Sequence, residues 1–402
     1  MPEDLKIAQL ALHGGVPVRS ALLPYGRHEI DDADVEAVTR VLRSDWLTSG
    51  PLVTEFEAAF AQLTGAAHAV AVSNGTAALH AAMFALGIGP GDEVIVPPMT
   101  FAASANAVLY QGGTPVFADV DASTLLLDPA QAAAKISPKT RAIVAVDYAG
   151  QPCDYDALRA VVGDRPIAIV GDACHSVGGR DRGRAVGTLA DLSAFSLHPV
   201  KHVTTGEGGM VTTADAKLAA RMRTFRNHGI TTDHRQRSEQ SSWIYEIVEL
   251  GYNYRLTDIQ CALGISQLSK LPARIERRQA IAREYDRAFA QIPEVSPLGM
   301  RSGVSHAFHL YMVQVDTSAL TCDRAMVFNA LSREGIGVNV HYIPVHLHPL
   351  YRRRFDFGPG LCPVAEAAYE RLITLPMFPG MTARDVQDVV EAVTKVVTAF
   401  RA

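Results

Sequence analysis

Residues 142–172 of the chain read AIVAVDYAGQPCDYDALRAVVGDRPIAIVGD. Two short apolar runs, AIVAV and IAIV, stand near its two ends, with a helical pattern between them. Strands that are apolar throughout are typical of a parallel sheet whose two faces are both covered. Alternation of such runs with helical patterns predicts a largely parallel sheet wrapped by helices. The stretch therefore indicates an α/β fold.

The same alternation continues outward in both directions, over about residues 65–215. The predicted strands are Ala69–Ser73, Glu93–Val96, Thr114–Asp119, Ala142–Asp147, Ile167–Asp172, Ser193–Ser196 and Met210–Thr213. They predict one large, mostly parallel, seven-stranded sheet. One helix should begin near Thr76, and another should follow residues 97–100. Because open parallel sheets bind ligands beyond the carboxyl ends of their strands, we expect the chemistry there.

The pattern changes near Asp258, where long helices replace the alternation. The predicted elements are helices Asp258–Lys270 and Pro272–Ile292, strands His309–Val315 and Gly337–Val340, and a last helix from Thr382 to Phe400. They indicate a smaller α+β domain. Because 402 residues exceed the usual size of one hydrophobic core, we expect two domains. Residues 1–257 would form the large domain with an N-terminal segment, and residues 258–402 the connecting helix and small domain.

Composition and charge exclude several classes of function. The net charge is −5 with His neutral, and no Lys/Arg run is dense enough for a nucleic-acid backbone or an anionic membrane. The start MPEDLKIAQLALHGG lacks the features of a signal peptide, and no apolar run approaches the ~20 residues that cross a bilayer. The five cysteines have no CxxC spacing, so no disulfide framework or metal site is indicated. We expect a cytoplasmic protein that binds neither nucleic acid nor membrane.

Residues 193–209, SAFSLHPVKHVTTGEGG, contain the most informative lysine of the chain. Lys201 comes shortly after a predicted strand and directly before a Gly-rich turn. A lysine held there in a cleft can lose its charge through desolvation and then act as a nucleophile. The alternative is an ordinary surface lysine, and spacing alone does not exclude it.

Two further segments could cooperate with this lysine. Asp172 ends the apolar strand IAIV, where a carboxylate can pair with a protonated pyridine nitrogen, and His175 could lie against the same ring. The alternatives are a helix N-cap for Asp172 and a satisfied core histidine for His175. After another strand, Gly75 and Thr76 open a helix whose N–H groups and hydroxyl suit a phosphate. The alternative there is that Asn74 simply caps the helix.

The order of the motifs NGTAAL, TFAASANA, DACHS, FSLHPVK, TTGEGGMV and GYNYRLTDIQ resembles the DegT/StrS family of sugar aminotransferases. The match extends from about Tyr25 to His346 and beyond. The resemblance implies the aspartate-aminotransferase fold, which is fold type I among enzymes that use pyridoxal phosphate. It also implies pyridoxal phosphate as cofactor, L-glutamate as amino donor and a nucleotide-linked ketosugar as acceptor.

Residue roles follow from the resemblance motif by motif. Lys201 matches the lysine that carries the cofactor and moves the proton, Asp172 the partner of the pyridine nitrogen, and His175 a position usually occupied by Gln or His. The other implied cofactor contacts are Phe101, stacked on the ring, and Gly75, Thr76 and Ser196 around the phosphate. Asn253 matches a residue that reaches the phosphate from a neighbouring subunit. The resemblance therefore implies a homodimer with shared active sites.

Within the family, the segments 47–50, 146–150, 198–201 and 341–346 most resemble the UDP-4-amino-4,6-dideoxy-N-acetyl-β-L-altrosamine transaminases of pseudaminic acid biosynthesis. The implied acceptor is UDP-2-acetamido-2,6-dideoxy-β-L-arabino-hex-4-ulose, aminated at C4. The candidates for the substrate pocket are Tyr25, Thr48, Arg255, Tyr342 and His346, each with packing as its alternative. Arg27, Arg226, His228 and His309 join Arg255 as candidates for binding the glutamate carboxylate or the diphosphate.

Other members of the family keep alternative functions open. Residues 1–23 resemble the N-terminal extension of aminocyclitol aminotransferases, so an aminocyclitol precursor or a dTDP- or GDP-linked ketosugar is an alternative acceptor. A sugar dehydratase of this family would have histidine in place of Lys201, and a non-catalytic regulator would have a defective site. The presence of Lys201, Asp172 and Asn253 argues against both.

Overall fold

A computed structural model describes residues 9–232 and 241–402 of the chain. The strands are β1 (His68–Val72), β2 (Glu93–Val96), β3 (Thr114–Phe117), β4 (Thr140–Val146), β5 (Ala168–Asp172), β6 (Arg180–Asp181), β7 (Arg184–Ala185), β8 (Leu192–Ser196), β9 (Gly209–Thr213), β10 (Val295–Pro297), β11 (Val304–Ser305), β12 (Tyr311–Val315) and β13 (Leu372–Leu375). Short 3₁₀ turns cover Ala11–His13, Tyr148–Gly150, Thr317–Ala319 and Val345–Leu347.

The helices flank these strands on both sides of the largest sheet and dominate the C-terminal part. They are α1 (Asp32–Leu42), α2 (Pro51–Thr64), α3 (Gly75–Ala85), α4 (Ala103–Tyr110), α5 (Pro129–Ala134), α6 (Tyr155–Val162), α7 (Ala216–Phe225), α8 (Asp258–Ser269), α9 (Leu271–Phe289), α10 (Arg324–Arg333), α11 (Pro349–Phe355), α12 (Pro363–Tyr369) and α13 (Ala383–Phe400). No helix of the described residues is both long enough and apolar enough to cross a membrane.

The largest sheet has the strand order β1-β9-β8-β5-β4-β2-β3. Strands β3, β2, β4, β5 and β8 run parallel to their neighbours in that series, whereas β9 is antiparallel to both β1 and β8. The prediction of a mostly parallel, seven-stranded sheet in an α/β fold is confirmed. Each predicted strand of this sheet lies within two residues of the observed one.

The sheet places the ends of three strands side by side. Val146 at the end of β4 is in register with Asp172 on β5, and Asp172 is in register with Ala194 on β8. Parallel neighbours bring their carboxyl ends to one edge, so the loops after these strands meet there. Helix α3 starts beside them, because β1 ends directly before its cap residue, Asn74.

The C-terminal part contains a three-stranded antiparallel sheet with the order β10-β12-β13. A strand at Gly337–Val340 was expected, and this is wrong: the segment is irregular and makes an isolated bridge from Asn339 to Thr374. The strand that completes the sheet is β13, a buried run of four residues with the sequence LITL. Such a short run has no period that distinguishes it from a loop or a helix.

A second apolar cluster accompanies this sheet. It joins α9, α10 and α13 to the strands, and it also includes Leu10 and Leu23 from the N-terminal segment. That segment is tied to the same region by Arg19, which pairs with Asp385 and Asp388 on α13. The domain boundary at residues 257 and 258 stays a prediction. Residues 1–8 of the N-terminal segment lie outside the described part of the chain.

Candidate active site

A cavity of about 870 Å³ opens at the carboxyl ends of β4, β5 and β8. Its walls come from the loops after these strands, the start of α3, the start of α4 and the segment 339–342. The residues predicted for the site that line it are Tyr25, Gly75, Thr76, Phe101, Asp172, His175, Ser196, Lys201 and Tyr342. Nine of the thirteen predicted site residues thus meet in one cavity.

Lys201 projects from the turn after β8. Its amine Nζ lies 3.4 Å from Nε2 of His309. Burial lowers the pKa of the lysine, while the negative charge nearby, on Asp172, acts in the opposite direction. A buried amine of lowered pKa spends more time as the free base, which is the form that can attack a carbonyl or accept a proton. The surface alternative for Lys201 is therefore wrong.

Asp172 is the last residue of β5 and is 6% exposed. Its Oδ2 accepts a hydrogen bond of 2.6 Å from the hydroxyl of Ser104, and its Oδ1 accepts one from the N–H of Cys174. The chain after Asp172 forms a turn rather than a helix, so the alternative of a helix N-cap does not apply. The carboxylate is held rigidly at the wall of the cavity, where a cationic ring nitrogen could pair with it.

His175 lies on the turn after Asp172, and its side chain has one polar contact among the described residues. Its Nε2 lies 3.2 Å from the hydroxyl of Tyr342, and its ring stacks at a tilt against His309 with centroids 4.4 Å apart. Its Nδ1 is buried and has no hydrogen-bond partner among the described residues. Burial, followed by the charge of Lys201, holds the pKa of His175 well below its usual range. The imidazole is therefore neutral and has one ring nitrogen left for a ligand.

The start of α3 has the features of a phosphate site. Asn74 caps the helix, since its side chain accepts from the N–H of Ala77 at 2.8 Å. Among the described residues, the N–H groups of Gly75 and Thr76 have no acceptor. A Cβ on Gly75 would lie 2.8 Å from Cβ of Ser196, so only glycine lets the two segments approach this closely. Capping by Asn74 therefore leaves the N–H groups of Gly75 and Thr76 available for an anion.

We call the N–H groups of Gly75 and Thr76 and the hydroxyls of Thr76 and Ser196 the phosphate cradle. These donors fit the phosphate group of pyridoxal phosphate. The N–H groups at the helix N-terminus and the hydroxyls of Thr76 and Ser196 would donate hydrogen bonds to the phosphate oxygens. Asp172 would pair with the ring nitrogen, and Phe101 offers an aromatic face that is 59% exposed on the single chain. A large apolar side chain left this exposed at a cavity has room for a stacked ring.

Four predicted residues lie outside this cavity. Thr48 is exposed and bridges to Thr257, and Asn253 is exposed and bridges to Asn227. Arg255 donates to the side chain of Asn227 and lines a separate depression of about 300 Å³. His346 is fully buried, with Nε2 2.8 Å from Glu366 and its ring against Phe117. Packing, the alternative stated for His346, is what the structure places there.

Several cavity residues were missed as site residues. Ser104 supports Asp172, Tyr254 and His341 line the wall, and His309 contacts Lys201, although it had been considered only for binding a carboxylate or diphosphate. Ser104, Tyr254 and His341 fall inside segments already quoted for the resemblance, so their position in those segments was the available signal. His309 lies 108 residues from Lys201 in the chain, and no sequence spacing reports that contact.

Comparison with known proteins agrees with this geometry. Residues 28–394 match the family described as the DegT/DnrJ/EryC1/StrS aminotransferase family. The chain belongs to this family. The spore coat polysaccharide biosynthesis protein SpsC of Bacillus subtilis (strain 168) is 42% identical over 384 residues, which cover 95% of this chain and 99% of SpsC.

Solved structures extend the comparison to three dimensions. Spr1654 of Streptococcus pneumoniae in its PMP-form superposes with a TM-score of 0.88 at 33% identity, covering 94% of this chain and 100% of that protein. Helicobacter pylori PseC, an aminotransferase involved in the biosynthesis of pseudoaminic acid, has a TM-score of 0.88 at 32% identity, with the same shares covered. This chain is therefore a sugar aminotransferase of fold type I that uses pyridoxal phosphate.

Proposed function

We propose that the enzyme transfers the amino group of L-glutamate to C4 of UDP-2-acetamido-2,6-dideoxy-β-L-arabino-hex-4-ulose, a step of pseudaminic acid biosynthesis. We further propose that it works as a cytoplasmic homodimer with shared active sites and that Lys201 carries the cofactor. The observation on which this rests is the meeting of Lys201, Asp172 and a phosphate cradle in one cavity.

Some residues of the site would hold the cofactor, and Lys201 would transfer protons. When bound, pyridoxal phosphate supplies an electron sink for the carbanion formed at the substrate carbon. Asp172, supported by Ser104, would keep the pyridine nitrogen protonated. Lys201 Nζ would take a proton from the carbon of glutamate and, in the second half-reaction, return one to C4 of the sugar. His175 would hold the ring through its unpartnered Nδ1.

The exposed apolar segment 243–252 supports the homodimer. Its large side chains leave much of their area in water on the single chain: Trp243 84%, Ile244 67%, Ile247 67%, Val248 54% and Leu250 81%. A contiguous apolar surface of this kind marks a protein interface. Asn253 follows this segment directly and lies outside the cavity of its own chain, so a partner's cavity is where it would act.

The substrate assignment rests on similarity to PseC together with the free volume beside Lys201. Tyr25 and Tyr342 line the cavity, where they would contact the sugar. Arg255, in its separate depression, would serve a carboxylate or a diphosphate at the partner's cavity. Thr48, which is exposed near the same depression, would belong to that shared surface.

The test is a pair of assays on the protein loaded with pyridoxal phosphate and L-glutamate. One offers the UDP-linked 4-keto-L-arabino sugar and the other an inosose, and product mass is recorded. Amination of the nucleotide sugar alone supports the proposed acceptor. Amination of the inosose alone would retain Lys201 and the family but contradict the acceptor, and release of ammonia without an amino sugar would indicate a dehydratase.

A further inference from the structure

His309 lies on the wall of the cavity directly opposite the amine of Lys201. The distance from Lys201 Nζ to His309 Nε2 is 3.4 Å, and the imidazole is 4% exposed. No other polar side-chain atom is within hydrogen-bonding distance of Nζ among the described residues. The contact therefore decides how the amine is oriented when it is free.

The backbone around His309 is fixed by contacts to three parts of the fold. The N–H of Leu310 donates to the carbonyl of Ala149, in the 3₁₀ turn after β4. The guanidinium of Arg278, on α9, donates to the carbonyls of Phe308 and His309 and also to that of Met377. A Cβ on Gly150 would lie 2.8 Å from the N–H nitrogen of His309, so the strand end and this segment are in close contact. Such a scaffold leaves the imidazole little freedom.

Neutral imidazole is the form that this surrounding favours. Burial lowers the pKa of His309 well below its usual range, and the charges of Lys201 and Arg278 and the rings of His175 and His202 act in the same direction. Its Nδ1 is buried without a partner in the described part of the chain. A neutral ring with its proton on Nδ1 presents a lone pair at Nε2, toward Lys201.

We propose that His309 is a positioning residue that accepts a hydrogen bond from the free amine of Lys201 and aims the lone pair of that amine at the reacting carbon. A neutral amine has two N–H bonds and one lone pair. When His309 Nε2 accepts one N–H, the amine cannot rotate freely and its lone pair keeps one direction. No covalent bond changes at His309. This role rests on the proposed function of Lys201.

Two substitutions distinguish this role from packing. The variant His309→Gln keeps an acceptor near the position of Nε2, whereas His309→Phe keeps the ring volume without an acceptor. We expect kcat of His309→Phe to fall by about 100-fold, as for a misdirected reacting group, with KM for both substrates within about twofold. We expect His309→Gln to recover kcat to within about fivefold of wild type. The matched control is His306→Gln, a buried histidine of the same segment that stacks on Phe308 and lies outside the cavity.

A second readout does not depend on turnover. The apoprotein is mixed with pyridoxal phosphate, and the absorbance change on covalent attachment to Lys201 is followed. In a separate titration, the affinity for pyridoxine phosphate is measured. Because pyridoxine phosphate has no aldehyde, its affinity reports non-covalent binding alone. We expect His309→Phe to slow attachment at least about tenfold with unchanged pyridoxine phosphate affinity. Equal attachment rates, or a rise only in KM for glutamate, would overturn the role of His309. Absence of attachment in wild type would instead overturn the proposed function of Lys201, and thermal unfolding identifies any variant that fails to fold.

Discussion

The wall of the cavity around Lys201 and the segment 241–257 differ in their contacts within one chain. The first is buried and hydrogen-bonded, and the second is largely exposed. Asp172, His175 and Lys201 lie within one cavity, and Asp172 accepts two hydrogen bonds from residues of its own chain. The segment 241–257, by contrast, exposes large apolar side chains and holds Asn253 at the surface. One chain thus brings Asp172, His175 and Lys201 together in its own cavity, whereas the segment 241–257 is the part for which we propose contact with a second chain.

The largest effect on turnover is expected at Lys201, in the wall of the cavity. Replacing Lys201 with Ala removes both the attachment point of the cofactor and the amine that moves the proton. We expect kcat to fall on the order of 10⁴-fold, together with loss of the absorbance band of the attached cofactor. Lys217→Ala, at an exposed position of α7, is the control and should leave both unchanged. Comparable activity in the two variants would break the assignment.

The next largest effect is expected at Asn253, which is exposed on the single chain. Asn253→Ala should weaken cofactor affinity by about 10- to 100-fold, the range for losing a hydrogen bond to a charged group. At a cofactor concentration too low to load Asn253→Ala, mixing Lys201→Ala and Asn253→Ala subunits in equal amounts should restore about a quarter of wild-type activity, because half the dimers then contain one intact site. No restoration after subunit exchange, verified by native mass spectrometry, would mean that each site belongs to one chain.

A smaller effect is expected at Phe101. Phe101 lines the cavity and is 59% exposed on the single chain. Phe101→Ala should weaken binding of pyridoxal phosphate by about fivefold, which corresponds to a stacking contribution of about 1 kcal/mol. Phe101→Tyr should bind it normally. The fluorescence titration that measures these affinities would contradict stacking if the Ala and Tyr variants behaved alike.

The smallest effect on turnover is expected at Asp147, which does not line the cavity. Its expected effect is on stability. It is fully buried, where it accepts hydrogen bonds from Ser176 and Tyr155, and burial raises the pKa of Asp147 to about 7. The folded protein thus retains a proton that the unfolded chain loses near pH 4, so stability falls as pH rises from about 4 to 7. The drop attributed to Asp147 is up to about 4 kcal/mol.

Thermal unfolding of Asp147→Asn across that range tests this linkage. Because the amide does not titrate, the melting temperature of the variant should fall less between about pH 4 and pH 7 than that of wild type. Asp164→Asn, at an exposed position of the turn after α6, serves as the control. Parallel profiles of wild type and Asp147→Asn would show that Asp147 ionises normally in the fold.

The fold was predictable wherever the sequence repeats a physical pattern. Apolar runs such as 142–146 and 168–170 announce buried parallel strands because both of their faces are covered. The small sheet was less predictable. Its strand β13 is a buried run of four residues, LITL, and the equally short segment 337–340, GVNV, makes only an isolated bridge. Which of two such runs enters a sheet depends on tertiary packing.

The site was predictable where residues end a strand, lie in the turn after one or open a helix, as Asp172, Lys201 and Gly75 do. Those positions are fixed by local chain direction. His309 and Ser104 were missed as partners of Lys201 and Asp172 because these contacts join segments 108 and 68 residues apart. His346 was misplaced because a motif histidine can equally well serve packing, and here it pairs with Glu366 in the core.

The most direct measurement of the central claim is the location of the cofactor on the chain. The protein would be loaded with pyridoxal phosphate, reduced with borohydride, digested and analysed by mass spectrometry. We expect the phosphopyridoxyl group on the peptide that contains Lys201, with no other lysine modified to a comparable extent and no modification in Lys201→Ala. A cofactor found on a different lysine, or on none, would contradict the account.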